Sequence, residues 1–472
     1  MAGISFFSDM VQSITDRGRR LLAAGARSEP VQAETNIETL CDMLLSSRGE
    51  ASGMALAAEV LQRWAQLDAA GQQDFVRMLH EQFGPDIAKL DKAIERYRSD
   101  RSSDAVIELH QAAEPRRQEL VRRLNLAPKG TARLVEMRER LIAMKDATEP
   151  FRAVDADFAH LFGSWFNRGF LTLRPIDWST PADILEKIIR YEAVHEIAGW
   201  EELRRRLAPA DRRCFAFFHP RLADDPLIFV EVALTKAIPS AIADVLDVNR
   251  SPITAQDATT AVFYSISNCQ DGLRGISFGN FLIKQVVEDL RRDLPGLKTF
   301  VTLSPVPGFA GWLARLRKAT DASLDDQALK TLELLDDPSW ADNPQKARLV
   351  EAVLLPLAAR YFVRERATGR RPVDPVARFH LGNGARLERL NFLADRSAKA
   401  MRQSHGLMVN YLYKLDDIEA NHEALAQHGE IAASPEVRKL AATASTDTSI
   451  GAQVRRRRTE MQKTISRLGG VQ

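Results

Sequence analysis

Two hydrophobic patterns divide the chain. From Ile37 to about Gly169, apolar residues recur at intervals of three and four, as amphipathic helices require. The clearest runs are Leu56, Val60, Leu61, Trp64 and Leu67, and then Leu120, Leu124, Leu134, Met137 and Leu141. Turn and cap signals separate these runs at Gly84–Pro85, Ser102–Ser103, Pro128–Gly130 and Glu149–Pro150. This part is therefore predicted to be an all-α helical bundle without sequence repeats.

After about Gly169, short β-rich runs alternate with helices. Strands are predicted at Cys214 to Phe218, Leu227 to Leu234, Ala261 to Ser267, Thr299 to Leu303 and Leu407 to Tyr413. A helix is predicted after Gly279, ending before Pro295–Gly296. The predicted fold class is α+β multidomain, with a helical bundle over residues 1–168 and a mixed α/β domain over residues 169–431. The polar residues 432–472 are predicted to form a C-terminal tail.

Composition excludes several classes of protein. Among 472 residues, 45% are apolar and 27% are charged, as in folded globular proteins. The net charge of +2 indicates neither a nucleic acid nor an acidic membrane as partner. The sequence contains no run of about 18 apolar residues, so no membrane-spanning helix is predicted. The three cysteines, Cys41, Cys214 and Cys269, form no CxxC motif or His/Cys cluster. We therefore expect no disulfide framework and no metal site.

The two ends of the chain carry weak targeting signals. The N-terminal residues lack the apolar core of a signal peptide, and their basic amphipathic character fits a mitochondrial transit peptide or a plain leading helix. No peroxisomal SKL-type address is present, so a cytoplasmic location is expected. The run Arg455 to Arg458 either binds an anion or a partner or belongs to a solvated tail.

A glycine-rich turn is the first candidate for chemistry. Gly272, Gly275 and Gly279 lie between a predicted strand and a predicted helix. Glycine permits positive φ, and the N–H groups at a helix start attract phosphate oxygens. The spacing matches neither a Walker loop nor a Rossmann fingerprint. By spacing alone, a phosphate cradle and a simple strand-to-helix turn both remain open.

Longer motifs add a family resemblance. The turn RGISFG, Arg274 to Gly279, resembles the pyrophosphate-binding turn of the GNAT acyltransferase fold, except that Ser277 replaces one glycine. Together with TFVTLSPVPGF and FHLGNGARLERLNFLADRSAKAMRQSHGLMVNYLY, it resembles the malonyl-CoA decarboxylase family over roughly Gly169 to Leu415. The resemblance implies a GNAT-like catalytic domain and a homo-oligomer supported by the helical half. It also implies that coenzyme A is held by Arg274, Gly275, Ile276, Ser277, Phe278, Gly279 and Asn280.

The same resemblance implies a catalytic pair. Ser304 lies in the family motif LSPxPGF and His380 in FHLxNGA, both without a gap. The implied reaction converts malonyl-CoA to acetyl-CoA and carbon dioxide, within fatty acid metabolism. Neither metal nor organic cofactor is expected, because the thioester carbonyl accepts the released electrons. Ser304 would hold the substrate carboxylate, and His380, with an ordinary pKa near 6.5, would supply the proton or orient a water that does.

Other interpretations of these residues remain open. A serine before a proline is usually a loop hydroxyl, and a histidine between apolar neighbours usually bonds a backbone carbonyl. The alternatives are an acyl-CoA-dependent acyltransferase and a non-catalytic CoA-binding scaffold, although the presence of both Ser304 and His380 disfavours a scaffold. The reserve histidines are His195, His219 and His405. Polar residues that either shape a pocket or stabilise the fold are Asn383, Arg389, Asn391, Asn410 and Tyr411.

Overall fold

The computed structural model describes residues 10–19, 35–46, 49–222, 224–276, 282–319 and 324–443. The chain divides into two compact units. The first comprises Met1–Arg174, Phe217–Ile228 and Asn268–Gly279, and the second comprises Pro175–Ala216, Phe229–Ser267 and Asn280–Gln472. Two short segments that come after the helical half in sequence therefore belong to the same unit as that half.

The helical half has the bundle architecture that its periodicity predicts. Its helices are α1 (10–19), α2 (Ile37–Leu45), α3 (Glu50–Gln66), α4 (Ala69–Gln82), α5 (Ile87–Ser99), α6 (Ser103–Ala113), α7 (Arg116–Leu124), α8 (Gly130–Ala143) and α9 (Glu149–Trp165). The side chains of Asn36, Asp68, Asp86 and Ser102 cap α2, α4, α5 and α6 by accepting backbone N–H bonds. Leu56, Trp64, Leu120 and Leu134 are buried, which confirms the predicted core face.

Strands and helices alternate after α9. The strands are β1 (Thr172–Ile176), β2 (Arg212–Phe218), β3 (Ile228–Thr235), β4 (Thr260–Asn268), β5 (Thr299–Thr302), β6 (Ser304–Pro305), β7 (Arg386–Asn391) and β8 (Met408–Leu412). The helices are α10 (Ala182–Tyr191), α11 (Trp200–Leu207), α12 (Ala243–Leu246), α13 (Leu282–Asp293), α14 (Phe309–Lys318), α15 (Asp326–Leu332), α16 (Pro344–Val363), α17 (Pro375–Gly382), α18 (Ala398–Ser404), α19 (Ile418–His428) and α20 (Pro435–Thr443). All five predicted strands are present, whereas β1, β6 and β7 were not predicted.

A mixed sheet organises this half. Its strand order is β1-β2-β3-β4-β5-β8-β6, with β7 also paired to β8. Strands β4 and β5 are parallel, from Thr260 opposite Thr299 to Phe263 opposite Thr302, and α13 connects them. Strands β5, β6 and β7 each pair with β8 in antiparallel orientation. The α+β multidomain class is confirmed, and β4, α13 and β5 follow one another as strand, helix and strand, as predicted.

The structure differs from the predicted C-terminal tail at its start. Helix α20 packs against α16 and β7, and Val437 and Ala441 on it are buried. The polar composition hid these two apolar positions, which lie four residues apart on one helix face. Residues 432–443 therefore belong to the folded part, while the run Arg455 to Arg458 lies outside the described residues.

The three cysteine side chains are buried, with exposed fractions of 0% for Cys41, 3% for Cys214 and 4% for Cys269. Burial raises the pKa of the Cys41 thiol to about 12. Within the described ranges, no helix has both the length and the apolarity to cross a bilayer. The same residues contain no group of three or more His, Cys, Asp or Glu side chains arranged to hold a metal ion.

Candidate active site

Strand alternation places Ser304 on one face of the sheet. Val301 and Leu303 belong to a buried core cluster with Val262, Tyr264 and Met408. Because successive side chains of a strand point to opposite faces, Thr302 and Ser304 face away from this cluster. The serine hydroxyl is therefore presented just beyond the end of β5, where β6 pairs with β8.

Helix α17 brings His380 to the same place. The Ser304 Oγ lies 3.1 Å from the His380 Nε2. Both residues are buried, with exposed fractions of 5% and 3%. The ring of Tyr411 stacks on the imidazole, with ring centroids 4.7 Å apart. The structure therefore brings together the two residues that the sequence motifs select.

Two further hydroxyl groups extend this contact into a hydrogen-bond chain of Tyr413, His380, Ser304 and Thr302. Ser304 Oγ donates to Thr302 Oγ1 at 2.8 Å, and His380 Nδ1 lies 2.8 Å from the Tyr413 hydroxyl oxygen. Burial raises the pKa of Tyr413 well above its ordinary value, so the phenol keeps its proton. We assign this proton to the bond with Nδ1, which leaves the imidazole proton on Nε2, facing Ser304.

Burial also determines the charge of the imidazole. His380 lies in a desolvated environment that lowers its pKa to about 3. The ring is therefore neutral across the physiological pH range. The ordinary histidine pKa near 6.5 therefore does not apply in this site, because burial, which the sequence does not show, lowers it.

Two family models match the chain. The malonyl-CoA decarboxylase N-terminal domain matches residues 83–166, and the malonyl-CoA decarboxylase C-terminal domain matches residues 169–451. The chain belongs to the malonyl-CoA decarboxylase family. This result confirms the family resemblance of the motifs and the predicted enzyme class, a carboxy-lyase.

Solved and curated members of the malonyl-CoA decarboxylase family are similar over most of the chain. The crystal structure of malonyl-CoA decarboxylase from Agrobacterium vitis is 73% identical, with a TM-score of 0.83, over 86% of this chain and 99% of that one. The structure from Rhodopseudomonas palustris is 63% identical, with a TM-score of 0.83, over 85% and 98%. The mitochondrial malonyl-CoA decarboxylase of Anser anser anser is 33% identical over 415 residues, 81% of this chain and 82% of that protein.

Part of the proposed coenzyme A cradle can be described. Gly275 has a φ of +81°, and apart from its chain neighbours no described residue has an atom within 4 Å of the position that a Cβ would take there. The exposed Arg274 side chain pairs with Asp271 at 2.6 Å. The backbone of Ile276 donates to the Leu273 carbonyl at 3.0 Å. The other predicted cradle residues, Ser277, Phe278, Gly279 and Asn280, lie outside the described residues.

Arg138 on α8 fixes the backbone of this turn, and sequence reasoning did not find it. Its Nη1 donates to the carbonyls of Gly272 at 2.8 Å and Arg274 at 2.9 Å, while its Nε bonds Asp155 at 2.8 Å. A Cβ at Gly272 would lie 2.0 Å from the Val135 carbonyl oxygen, so only glycine permits this approach to α8. Nothing in the sequence distinguishes Arg138 from the other arginines of the helical half.

Most of the remaining polar candidates stabilise the fold. Arg389 Nε donates to Asn391 Oδ1 at 2.7 Å and to Asn410 Oδ1 at 3.1 Å. Asn410 Nδ2 in turn donates to the Thr302 carbonyl at 2.8 Å. The Asn383 side chain donates to the Phe379 carbonyl at 2.7 Å, within the turn that ends α17. The bonds of Asn410 join β7, β8 and β5 and so support the strands around Ser304.

The reserve histidines do not join the pair. Within the described ranges, the side-chain hydrogen bonds of Ser304 and His380 are made with each other, Thr302 and Tyr413. His219 instead packs against Phe166, with ring centroids 4.9 Å apart. Burial lowers the pKa of His195 and of His405 to about 4 each, so both are neutral at physiological pH. The sequence also did not point to Thr302 or Tyr413. Thr302 lies two residues before Ser304, and Tyr413 lies two residues after Tyr411.

Proposed function

We propose that Ser304 and His380 decarboxylate malonyl-CoA to acetyl-CoA and carbon dioxide without a metal or organic cofactor. The observation that carries the proposal is the 3.1 Å contact between Ser304 Oγ and His380 Nε2 in a buried site. Membership of the malonyl-CoA decarboxylase family supports the substrate and the reaction. Both residues also occupy the family motifs on which the resemblance depends.

The substrate supplies its own electron sink. When the bond between the methylene carbon and the carboxylate breaks, carbon dioxide leaves and the bonding electrons move into the thioester, giving an enolate. The methylene carbon then takes one proton, so that malonyl-CoA and a proton become acetyl-CoA and carbon dioxide. The protein has to orient the carboxylate across the thioester plane and deliver this proton.

Ser304 is suited to hold the carboxylate. Its hydroxyl donates to Thr302 Oγ1 at 2.8 Å and accepts from His380. A substrate carboxylate oxygen can replace Thr302 Oγ1 as the acceptor, because a bond to a charged acceptor is about twice as strong as one between neutral groups. The serine would keep its bond from His380 during this exchange.

His380 would supply the proton as a neutral imidazole. Its pKa of about 3 excludes a large population of imidazolium at neutral pH. The Nε2 proton passes to the enolate carbon, either directly or through a water that Nε2 orients, and a solvent proton then restores the ring. The Tyr413 hydroxyl, 2.8 Å from Nδ1, keeps the proton on the nitrogen that faces Ser304.

The turn from Arg274 to Asn280 is proposed to hold the pyrophosphate of coenzyme A. The positive φ of Gly275 supports a close approach of phosphate to the backbone, and no described side chain lies against its Cα. Replacing Gly279 by Val should weaken the binding of coenzyme A itself, measured by calorimetry. An unchanged dissociation constant would place the phosphates elsewhere.

We also propose that the helical half mediates self-association. Ile87, Val106 and Ile107 on α5 and α6 are large apolar residues with exposed fractions of 62%, 50% and 55%. Ile107→Glu should lower the mass measured by light scattering. Val248→Glu is the matched control, because Val248 is 65% exposed outside these helices. A mass that Ile107→Glu leaves unchanged would contradict the assignment of this surface.

The decisive experiment incubates the metal-stripped protein with malonyl-CoA alone, in deuterium oxide, and follows the products by mass. Many turnovers to acetyl-CoA carrying one deuterium are expected. Ser304→Ala and His380→Gln should each lower kcat by about 10²–10⁴-fold. His405→Asn is the matched control, because His405 is a half-buried histidine outside the pair, with a positive φ that Asn tolerates. Normal turnover by either pair variant would exclude that residue from catalysis, and bound substrate without turnover would favour acyl transfer or a scaffold.

A further inference from the structure

One buried carboxylate connects the segment that carries Ser304 to the helix that carries His380. We propose that Asp374 is a positioning residue that sets the distance between these two side chains. The inference rests on the proposed function of the pair, and it assigns Asp374 a role in catalysis without contact to the substrate. It follows from contacts of Asp374 with α17 on one side and with Tyr361 and Gly308 on the other.

Asp374 first determines where α17 begins. It is 1% exposed, and its Oδ1 accepts from the backbone N–H groups of Val376 at 2.9 Å and Ala377 at 3.0 Å. Pro375 occupies the first helical position, where no N–H bond is needed. The helix is only eight residues long, and His380 lies in its last turn. The capped end therefore constrains the position of the imidazole.

The other carboxylate oxygen faces the segment that follows Ser304. Asp374 Oδ2 accepts from the Tyr361 hydroxyl at 3.4 Å, and the backbone N–H of Gly308 also interacts with this carboxylate. A Cβ at Gly308 would lie 2.6 Å from the Tyr361 hydroxyl oxygen. Only glycine therefore lets the chain pass this close, four residues after Ser304. This contact gives a physical reason for the glycine in the motif LSPVPGF.

Burial raises the pKa of Asp374, whereas the groups that converge on its carboxyl all favour the ionised form. Two N–H groups of α17, the Gly308 N–H and the Tyr361 hydroxyl all direct hydrogens towards it. An ionised aspartate offers acceptors only, whereas an asparagine offers one acceptor and two donor hydrogens. Substitution by Asn should therefore preserve the helix cap through Oδ1 but place an NH₂ group against Gly308 and Tyr361. The two functions of Asp374 can thus be separated by a single change.

The test compares Asp374→Asn with Asp325→Asn, which changes an N-cap of the same type on α15. Asp374→Asn should lower kcat about tenfold to a hundredfold, because small misplacements of reacting groups have effects of this size. The KM for malonyl-CoA should stay the same. Asp325→Asn should change neither constant. A normal kcat for Asp374→Asn would overturn the inference.

A double-mutant cycle separates positioning from a general structural effect. In a His380→Gln background, Asp374→Asn should cause no further loss of the residual turnover, because there is no imidazole left to place. Independent losses that multiply would overturn the inference. If Asp374→Asn does not fold, Tyr361→Phe provides a second test, because it removes the hydroxyl and keeps the helix cap. A normal kcat for Tyr361→Phe would also overturn the inference. Full activity of His380→Gln alone would instead overturn the proposed function.

Discussion

The Nε2 of His380 lies 3.1 Å from the Oγ of Ser304, although 76 residues separate them in sequence. Ser304 begins β6, just beyond the end of β5, and His380 lies in the last turn of the short helix α17. Hydrogen bonds made by Thr302, Tyr413 and Asp374 support the contact, and these three residues lie outside the motifs LSPxPGF and FHLxNGA.

The pH dependence of kcat should report a neutral imidazole. The pKa of His380 is about 3, so its protonation state does not change between about pH 5.5 and 8. We expect kcat to stay level over this range in a stopped assay of acetyl-CoA. A histidine that acted as imidazolium with an ordinary pKa would lose about tenfold in rate per pH unit above 6.5. Such a decline would contradict the assignment.

The stability of the fold should decrease in mild acid. Burial lowers the pKa of His380 to about 3 and the pKa of His195 and His405 to about 4 each. Near pH 5, the unfolded chain binds protons at these side chains and the folded chain does not, so protonation favours unfolding. Above their unfolded pKa of about 6.5, both states are neutral and the effect vanishes.

Urea denaturation at two pH values measures this effect. Between pH 7.5 and 5, His380 alone should lower the free energy of unfolding by about 2 kcal/mol. His380→Gln should lose that part of the pH dependence and keep the part due to His195 and His405. An identical pH dependence in the variant would show that His380 is protonated in the folded protein.

Tyr413→Phe should weaken catalysis by releasing the imidazole proton from Nε2. The change removes the hydroxyl that lies 2.8 Å from Nδ1 and leaves this nitrogen buried without its partner. We expect kcat to fall about tenfold, and nitrogen-15 NMR to show loss of the Nε2–H tautomer. Tyr264→Phe is the control, since that hydroxyl lies in the core cluster on the other face of the sheet. An unchanged tautomer in Tyr413→Phe would refute this role.

Arg138→Met should act on substrate binding. Its two bonds to the carbonyls of Gly272 and Arg274 hold the turn that precedes α13, and methionine makes neither. If this turn holds coenzyme A, the KM for malonyl-CoA should rise about tenfold with little change in kcat. Arg133→Met, which removes an exposed ion pair with Glu136 on the same helix, should leave KM unchanged. Equal constants for both variants would argue against the cradle.

The sequence predicts the strands whose apolar residues are buried and misses those with polar inner positions. Strand β7 has the sequence RLERLN, in which Arg389 and Asn391 bond Asn410 instead of forming an apolar face. Strand β1 contains Pro175, which is unfavourable for strand assignment, and β6 has only two residues. Hydrophobic alternation carries no information about such strands.

The candidate site could be predicted only in part. The motifs select Ser304 and His380, but spacing contains no measure of the distance between them. The burial that makes His380 neutral arises from residues far apart in sequence. Asp374 before Pro375 is a recognisable helix start, yet only the structure shows that its second oxygen faces Tyr361 and Gly308. Such contacts join residues that are far apart in sequence, so no local sequence pattern reveals them.

The buried cysteine thiols can report local opening of the two compact units, because their labelling requires exposure to solvent. Cys41 lies in the first compact unit and Cys214 in the second, and both are shielded from solvent. A thiol reagent reaches each one only when its surroundings open, and the raised pKa of Cys41 slows its reaction further. Mass spectrometry of labelled peptides would therefore time the opening of the two units separately in the unmodified protein. Added malonyl-CoA should slow the labelling of whichever unit it stabilises.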